Sequence, residues 1–231
     1  MICTKTKKNL CKDEKSIGYT DLFSTDKYTC AKKTNNVEYN FYKHVIENSL
    51  KIKDHIPKLK GVCNFNKTKY IQVENLKANM KKPIELDIKL GKHTVDFQNL
   101  KDQNMSWVSA IYKTSKIALR DKFDSRHIHH FGTSHVDYWG LKPNDMFDKF
   151  FGQNQKTKLR VRNKIKKIIG SLQELKNIRI IGMSLFIVYD FDKPENVKVK
   201  LIDFAHTMFV DKHHKSQDYV IHGLENIMTY L

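Results

Sequence analysis

Asp87 and Lys89 stand two residues apart in KKPIELDIKLG (81–91), a stretch in which apolar and polar residues alternate. Such alternation predicts a strand, and in a strand residues i and i+2 share a face. A carboxylate and an amine are therefore presented together, with Pro83 before them and Gly91 leaving room after. A second carboxylate, Asp203, ends the apolar run VKVKLI (197–202). An acid at the end of a buried strand is costly to desolvate unless it meets a cation or a metal. Two acids and a lysine are the minimum equipment for holding a magnesium nucleotide and steering a hydroxyl onto its terminal phosphate. Taken singly, the same residues also fit an exposed ion pair, which contributes little, and an acid that caps a turn.

Several elements must position these groups. DKYTCAKKT (26–34) reads as a short strand. It leads into NNVEYNFYKHVIENSL, where Val37, Phe41, Val45 and Ile46 recur at helical spacing behind an Asn cap. The stretch 56–76 reads as a hairpin turned at NFNKT, and 83–97 as a strand. A helix is predicted over 106–120, then a histidine-rich stretch and a loop through GLKPND. Over 156–176, Val161, Ile165, Ile168, Leu172 and Leu175 form one face of a helix whose other face is basic. IRIIGMSLFIVYD and VKVKLIDFAHTMF read as two apolar strands joined by FDKPEN, and DYVIHGLENIMTYL as a last helix. Residues 1–27 show weak periodicity and read as an arm or an irregular hairpin. This order suits an α+β protein of two lobes with a cleft between them.

The chain has 231 residues, enough for one core or two small lobes. Lys and Arg number 42 against 25 Asp and Glu, a net charge of +17 that points to a polyanionic partner: nucleic acid, anionic membrane or a phosphate-dense small molecule. The four cysteines, Cys3, Cys11, Cys30 and Cys63, are widely spaced without a CxxC pair, so neither a disulfide framework nor a zinc site is indicated. The lysine-rich N-terminus lacks the apolar core of a signal peptide, and an intracellular location, cytoplasmic or nuclear, is expected. In SRHIHHFGTSH (125–135), His127, His129 and His135 have no acidic or cysteine partner at ligand spacing. Phosphate recognition beside Arg120, Lys122 and Arg126 suits that stretch better than a metal, and a plain surface strand suits it nearly as well.

PIELDIKLG fits the P-x-x-x-D-x-K-x-G signature of the inositol polyphosphate kinases. EYNFYKHV resembles that family's E-x-x-F-Y helix, YIQVENL its hinge, FDKFFG its D-K-Y-x-G segment, SLFIVYD its S-L-L-x-x-Y-D strand, KLIDFAHT its I-D-F-A-H strand and DYVIHGLENI its terminal helix. These elements come in the family's order over roughly residues 30–231. The family's Q-V-x-G-H segment has no clear counterpart, and SRHIHHFGTSHVDYW matches its L-G-x-R-x-x-G strand poorly.

The resemblance implies a two-lobed, protein-kinase-like α+β fold with ATP in the interlobe cleft, an N-lobe over 1–76 and a C-lobe over 77–231 with the inositol-phosphate segment at 92–150. It implies that Lys32 meets the α and β phosphates of ATP, with Lys33 as the alternative, and that backbone groups of Glu74 and Leu76 bind the adenine edge. Asp87 would hold the ribose or orient the reacting group, Lys89 would bridge the transferred phosphoryl and a substrate phosphate, and Asp203 would ligate Mg2+, with Ser184 in support. Lys113, Lys116 and Arg120, at helical spacing, with Lys122 and Arg126, would receive the inositol phosphates.

The expected activity is transfer of the γ-phosphoryl of ATP to inositol hexakisphosphate, giving a pyrophosphate, by a monomer without obligatory nucleic acid or membrane. Two alternatives stand beside it: a multikinase acting on hydroxyls of lower inositol phosphates, and a basic protein that binds polyphosphate or nucleic acid without turnover.

Overall fold

The alternating stretches at 22–33 and 59–74 pair into a first antiparallel sheet. The computed structural model describes residues 22–65, 68–91, 106, 128–131 and 143–231. In that first sheet β1 (Leu22–Asp26), β2 (Thr29–Lys33), β3 (Leu59–Phe65) and β4 (Thr68–Glu74) lie in the order β1-β2-β4-β3. β1 falls where the sequence suggested an arm or an irregular hairpin, and the second reading fits its described end: it pairs with β2, with a register irregularity, through a tight turn in which Asp26 Oδ1 accepts the Tyr28 amide at 2.6 Å. Cys30 on β2 is buried. Cys63 on β3 takes part in a disulfide where spacing indicated none, because separation along a chain says little about approach in the fold.

Helix α1 (Asn36–Glu47) starts where Asn35 accepts the Glu38 amide at 2.9 Å, the expected Asn cap. Its buried stripe is Glu38, Phe41, Tyr42 and Val45, whereas Ile46, predicted on that face, is 47% exposed. Tyr42 takes the inward place because i, i+3, i+4 and i+7 from Glu38 line one side of a helix.

The second sheet has the order β6-β5-β8-β9, formed by β5 (Pro83–Leu90), β6 (Ile128–Phe131), β8 (Ser184–Asp190) and β9 (Lys193–Ile202). Short β7 (Ile178–Arg179) pairs instead with β10 (Met208–Phe209). The single strand predicted over IRIIGMSLFIVYD is therefore two, broken before β8 where Gly182 takes φ +72°. The turn between β8 and β9 is shorter than FDKPEN. Edge strand β9 already includes Pro194, whose missing amide hydrogen costs nothing at a sheet edge. β5 ends at Leu90, and Gly91 turns the chain at φ +85°.

Leu86, Ile88 and Leu90 of β5 are fully buried against Leu185 and Ile187 of β8 and Leu201 of β9. Helices α2 (Pro143–Phe151), α3 (Gln155–Glu174) and α4 (Ser216–Thr229) complete this part of the molecule. As the periodicity predicts, Val161, Ile165, Ile168 and Leu172 of α3 are buried. Their side chains, with those of Phe41, Ile71 and Val73 from the first sheet, belong to one continuous apolar cluster.

Phe204, immediately after the second sheet, joins the two halves. Its ring stacks on Phe41 at 4.4 Å between centroids and meets Tyr42 edge-on at 5.4 Å, so the chain segment carrying Asp203 is held against α1.

Candidate active site

Because the core face of β5 takes Leu86, Ile88 and Leu90, its other face carries Glu85, Asp87 and Lys89. Cross-strand register sets Lys89 opposite Ser184 and Asp87 opposite Phe186 on β8, with Ser184 in turn opposite Ile202 on β9. On the other side, the β6 backbone places His129 opposite Lys89 and Phe131 opposite Asp87. Asp203 follows Ile202 and has left the strand, with φ +66°. That left-handed conformation is unfavourable for a side-chain-bearing residue, and it is stabilised where the Phe204 amide donates to Glu38 Oε1 at 3.2 Å.

Asp203 lies between two ammonium groups. Lys32 Nζ donates to its Oδ1 at 2.9 Å and Lys89 Nζ to its Oδ2. Lys89 also donates to the Gly182 carbonyl at 3.1 Å. Lys32 donates in addition to Glu38 Oε1 at 2.8 Å, while Glu38 Oε2 accepts from the Thr34 hydroxyl at 3.0 Å. Glu38 is thus a buried carboxylate with every role filled: it meets a cation, a hydroxyl and the amide that fixes the Asp203 turn. Residues 171 apart along the chain converge in this network, so it ties the first sheet to the second.

The electrostatics follow from these contacts. Burial alone would lower the pKa of Lys32, but Asp203 and Glu38 outweigh it and hold the ammonium well above its ordinary range. For Lys89 burial is likewise overcome, by Asp203 and Asp87. Burial would raise the Asp203 carboxyl; Lys32 and Lys89 hold it far below the usual carboxylate range instead. Asp87 moves the other way: burial and the negative charge of Asp203 raise it, against the pull of Lys89. Asp87 Oδ1 and Ser184 Oγ are both buried without a hydrogen-bond partner among the described residues, although the Ser184 hydroxyl is near enough to favour the charged form of Asp87.

Asp87, Lys89, Asp203 and Lys32 are therefore brought together, with Ser184 beside them. Lys33 is exposed and Lys32 is the cation in the cluster. Lys113, Lys116, Arg120, Lys122 and Arg126, the predicted helix over 106–120 and most of the 125–135 stretch lie outside the described residues. At the end of β4 the Glu74 amide donates to the Lys58 carbonyl at 2.9 Å and its carboxylate meets Lys198 of β9 at 3.0 Å. Leu76, by contrast, offers an amide engaged by no backbone carbonyl among the described residues.

Sequence reasoning had not assigned site roles to Glu38, the Gly182 carbonyl or Lys198. Asn35-x-x-Glu38 reads as a helix-capping pattern, which conceals the second task of Glu38. A cavity of about 770 Å³ between the end of α3 and α4, lined by Leu175, Lys176, Gln217 and Tyr219 among others, contains none of the predicted site residues.

A small-molecule phosphotransferase of two sheet-based lobes is the class that this fold and this lysine–carboxylate cluster define. A family model described as inositol polyphosphate kinase matches residues 70–231. The chain belongs to the inositol polyphosphate kinase family. No curated protein matches it. Among solved structures, the crystal structure of the inositol phosphate multikinase Ipk2 from S. cerevisiae in complex with ADP and Mn2+ is similar at 19% identity and a TM-score of 0.61, over 88% of this chain and 97% of that one. A second, from structural studies and protein engineering of inositol phosphate multikinase, is similar at 17% identity and a TM-score of 0.57, over 84% of this chain and 98% of that one. At these identities they establish the α+β, two-lobed kinase-like fold, as the sequence resemblance implied.

Proposed function

We propose that the protein transfers the γ-phosphoryl group of ATP to a highly phosphorylated inositol, with inositol hexakisphosphate as acceptor and a pyrophosphate as product. The observation that carries the reading is the Lys32–Asp203–Lys89 cluster, with its carboxylate locked ionised and an unpartnered Asp87 oxygen two residues from Lys89. That donor set suits a magnesium nucleotide, because Mg2+ is held by one or two carboxylates together with substrate phosphates. Asp203 would hold the ion, with Asp87 Oδ1 as the remaining carboxylate oxygen. Bound there, Mg2+ would neutralise charge on the β and γ phosphates.

The residues of this chain do the remaining work. Lys32, fixed by Glu38 and held protonated by Asp203 and Glu38, would place positive charge at the triphosphate, and the Leu76 amide, engaged by no backbone carbonyl among the described residues, would meet the adenine edge. Lys89, held between Asp203 and the Gly182 carbonyl, would meet both the transferred group and an acceptor phosphate. Such positioning and charge neutralisation supply most of the barrier reduction in phosphoryl transfer. A phosphate acceptor is already ionised near neutral pH and needs no strong base.

A second reading has one observation in its favour. Asp87 is half-buried, its buried Oδ1 has no hydrogen-bond partner among the described residues, and its pKa is raised by burial and by Asp203, the condition of a carboxylate suited to accept a proton from a hydroxyl. A multikinase acting on hydroxyls of lower inositol phosphates would use it so. Product analysis decides, with Mg-ATP and, separately, inositol trisphosphate, pentakisphosphate and hexakisphosphate. Conversion of hexakisphosphate to a more highly phosphorylated species supports pyrophosphate synthesis. Activity confined to the lower phosphates assigns the multikinase reaction, and no turnover with any of them refutes both.

A further inference from the structure

The outer face of α3 plays no part in the cluster just described. Lys156, Arg160, Arg162, Lys164, Lys166 and Lys167 are all exposed on it, and the helix has no acidic residue before Glu174. Arg160 reaches the Glu195 carbonyl at 3.3 Å. The other five make no ion pair with any described residue, whereas Lys158, on the buried side, is paired with Asp148 at 2.8 Å. Lys156 and Arg160, Arg160 and Lys164, and Arg162 and Lys166 are i,i+4 neighbours of like charge, which repel one another. The positive field reaches His55 on the adjacent turn, whose pKa is lowered by burial and by Lys200, Lys167 and Lys164. A helix face that concentrates unpaired cations over about 17 Å of axis is relieved only by an anionic partner.

The arrangement of the face selects among such partners. Opposite the buried stripe of Val161, Ile165, Ile168 and Leu172, helical geometry places Leu159 and Asn163 near the solvent pole. Arg162 and Lys166 lie on one flank, and Lys156, Arg160, Lys164 and Lys167 on the other. Leu159 is 58% exposed in the midst of these cations. Phe191, 59% exposed, lies in the β8–β9 turn, and the residues just beyond it are tied to the start of α3 by the Thr157 hydroxyl donating to the Pro194 carbonyl at 3.0 Å. Nucleic acids bound through single strands want aromatic groups for stacking, and α3 has none. A lipid leaflet, being planar, engages both flanks at once and receives an apolar side chain below its phosphates.

We infer that the outer face of α3 docks on an anionic lipid surface, with Leu159 inserted among the headgroups and the flanking lysines and arginines paired with lipid phosphates and carboxylates. Among the described residues no helix is long and apolar enough to cross a membrane, so the attachment is peripheral. It departs from the expectation of no membrane partner, and it suits the intracellular location expected from the sequence, where anionic leaflets face the protein.

The test is co-sedimentation of the full chain with vesicles of phosphatidylcholine alone and with about 30% phosphatidylserine, at low and at physiological salt. Binding is expected only to the anionic vesicles. Each cation removed should weaken it about fivefold, so Arg162→Gln/Lys166→Gln/Lys167→Gln should lose about a hundredfold. Leu159→Ser should lose about fivefold while keeping the wild-type salt dependence. Turnover and thermal midpoint of these variants report that they are folded, and Lys43→Gln on α1 should bind like wild type. Equal sedimentation with both vesicle types, or unaltered binding by the triple variant, overturns the proposal. So does displacement from vesicles by equimolar duplex DNA together with indifference to Leu159→Ser, which would assign the face to nucleic acid.

Discussion

Replacing Asp203 by Asn removes the one charge that holds Lys32 and Lys89 together and leaves two ammonium groups against a neutral amide. Lys32 would keep Glu38 at 2.8 Å, and Lys89 only the Gly182 carbonyl at 3.1 Å. Removing one partner of a buried ion pair costs about 3–5 kcal/mol; here the Asp203 side chain keeps 28% of its surface exposed and Lys32 retains a second carboxylate, which brings the loss to about 2 kcal/mol. For a chain of this length that is a fall in thermal midpoint of about 4–8 °C. The pH dependence has a definite sign. Asp203 is depressed, so its contribution is complete above about pH 5 and is lost only as pH falls through a folded value far below the ordinary one. Lys32 and Lys89 are raised, so theirs is complete below about pH 10 and is lost only as pH rises through their folded values. Because Asp203 also raises Asp87, thermal unfolding of wild type and Asp203→Asn should differ by a constant amount only from the pH at which Asp87 is fully ionised up to about pH 9. Turnover of ATP with the preferred inositol phosphate should fall at least about a hundredfold. A midpoint unchanged within a degree across the neutral range would refute the account of the cluster.

Lys89→Met should reduce turnover at least about a hundredfold, whereas Lys33→Met, the exposed neighbour of Lys32, should leave it within about twofold by colorimetric phosphate release. Asn35→Ala removes the cap on the Glu38 amide and the 3.0 Å bond to the Ala205 carbonyl; a loss of about 1–2 kcal/mol in denaturant unfolding is expected, with a raised KM for ATP because Glu38 positions Lys32. Gly91→Ala places a side chain at φ +85° with its Cβ 3.4 Å from Val220, and thermal unfolding should show a loss of about 1–2 kcal/mol. If Asp87 accepts the proton of a hydroxyl, kcat/KM should fall toward acid with an apparent pKa above the ordinary aspartate value of about 3.9, and Asp87→Asn should abolish that limb; a profile flat to pH 4 in the wild type would deny Asp87 this role.

The strand periodicity around Asp87 and Lys89 was legible because one face of β5 is wholly apolar, which leaves no choice about where the polar face points. The long helix α3 was legible for the same reason, since a stripe of Val161, Ile165, Ile168 and Leu172 has one burial solution. The break between β7 and β8 was not, because IRIIGMSLFIVYD is apolar throughout and only the conformation of Gly182 divides it. β1 was legible only as one of two alternatives, an arm or an irregular hairpin, because LFSTD is short and is stabilised by pairing with β2 rather than by its own pattern. At the site, Asp203 was visible as an acid after an apolar run, but its two lysine partners come from 114 and 171 residues away. Nothing in spacing alone signals such distant convergence; the motif resemblance did.

Two acids of one cluster are driven in opposite directions, and the difference explains how a basic chain builds a site for polyanions. Asp203 has an ammonium on each oxygen and stays ionised under all ordinary conditions, so its charge serves to hold Lys32 and Lys89 in fixed places rather than to titrate. Without it the two ammonium groups would repel each other, and Lys89, left with only the Gly182 carbonyl, would withdraw toward solvent, where it would be hydrated and weak. Asp87 has no such partner on Oδ1, and burial beside Asp203 leaves it the group whose charge state is open to change. Pairs of titratable groups pushed apart in this way mark a division of labour between a fixed electrostatic element and a group that exchanges protons or ligands. Glu38 allows the division, because by satisfying Lys32 and the Phe204 amide together it fixes both the cation and the turn from which Asp203 projects. Positive charge scattered over the surface attracts phosphates without ordering them. Here two cations, one from each sheet, are anchored by one carboxylate, so the same charge becomes a site with a fixed geometry.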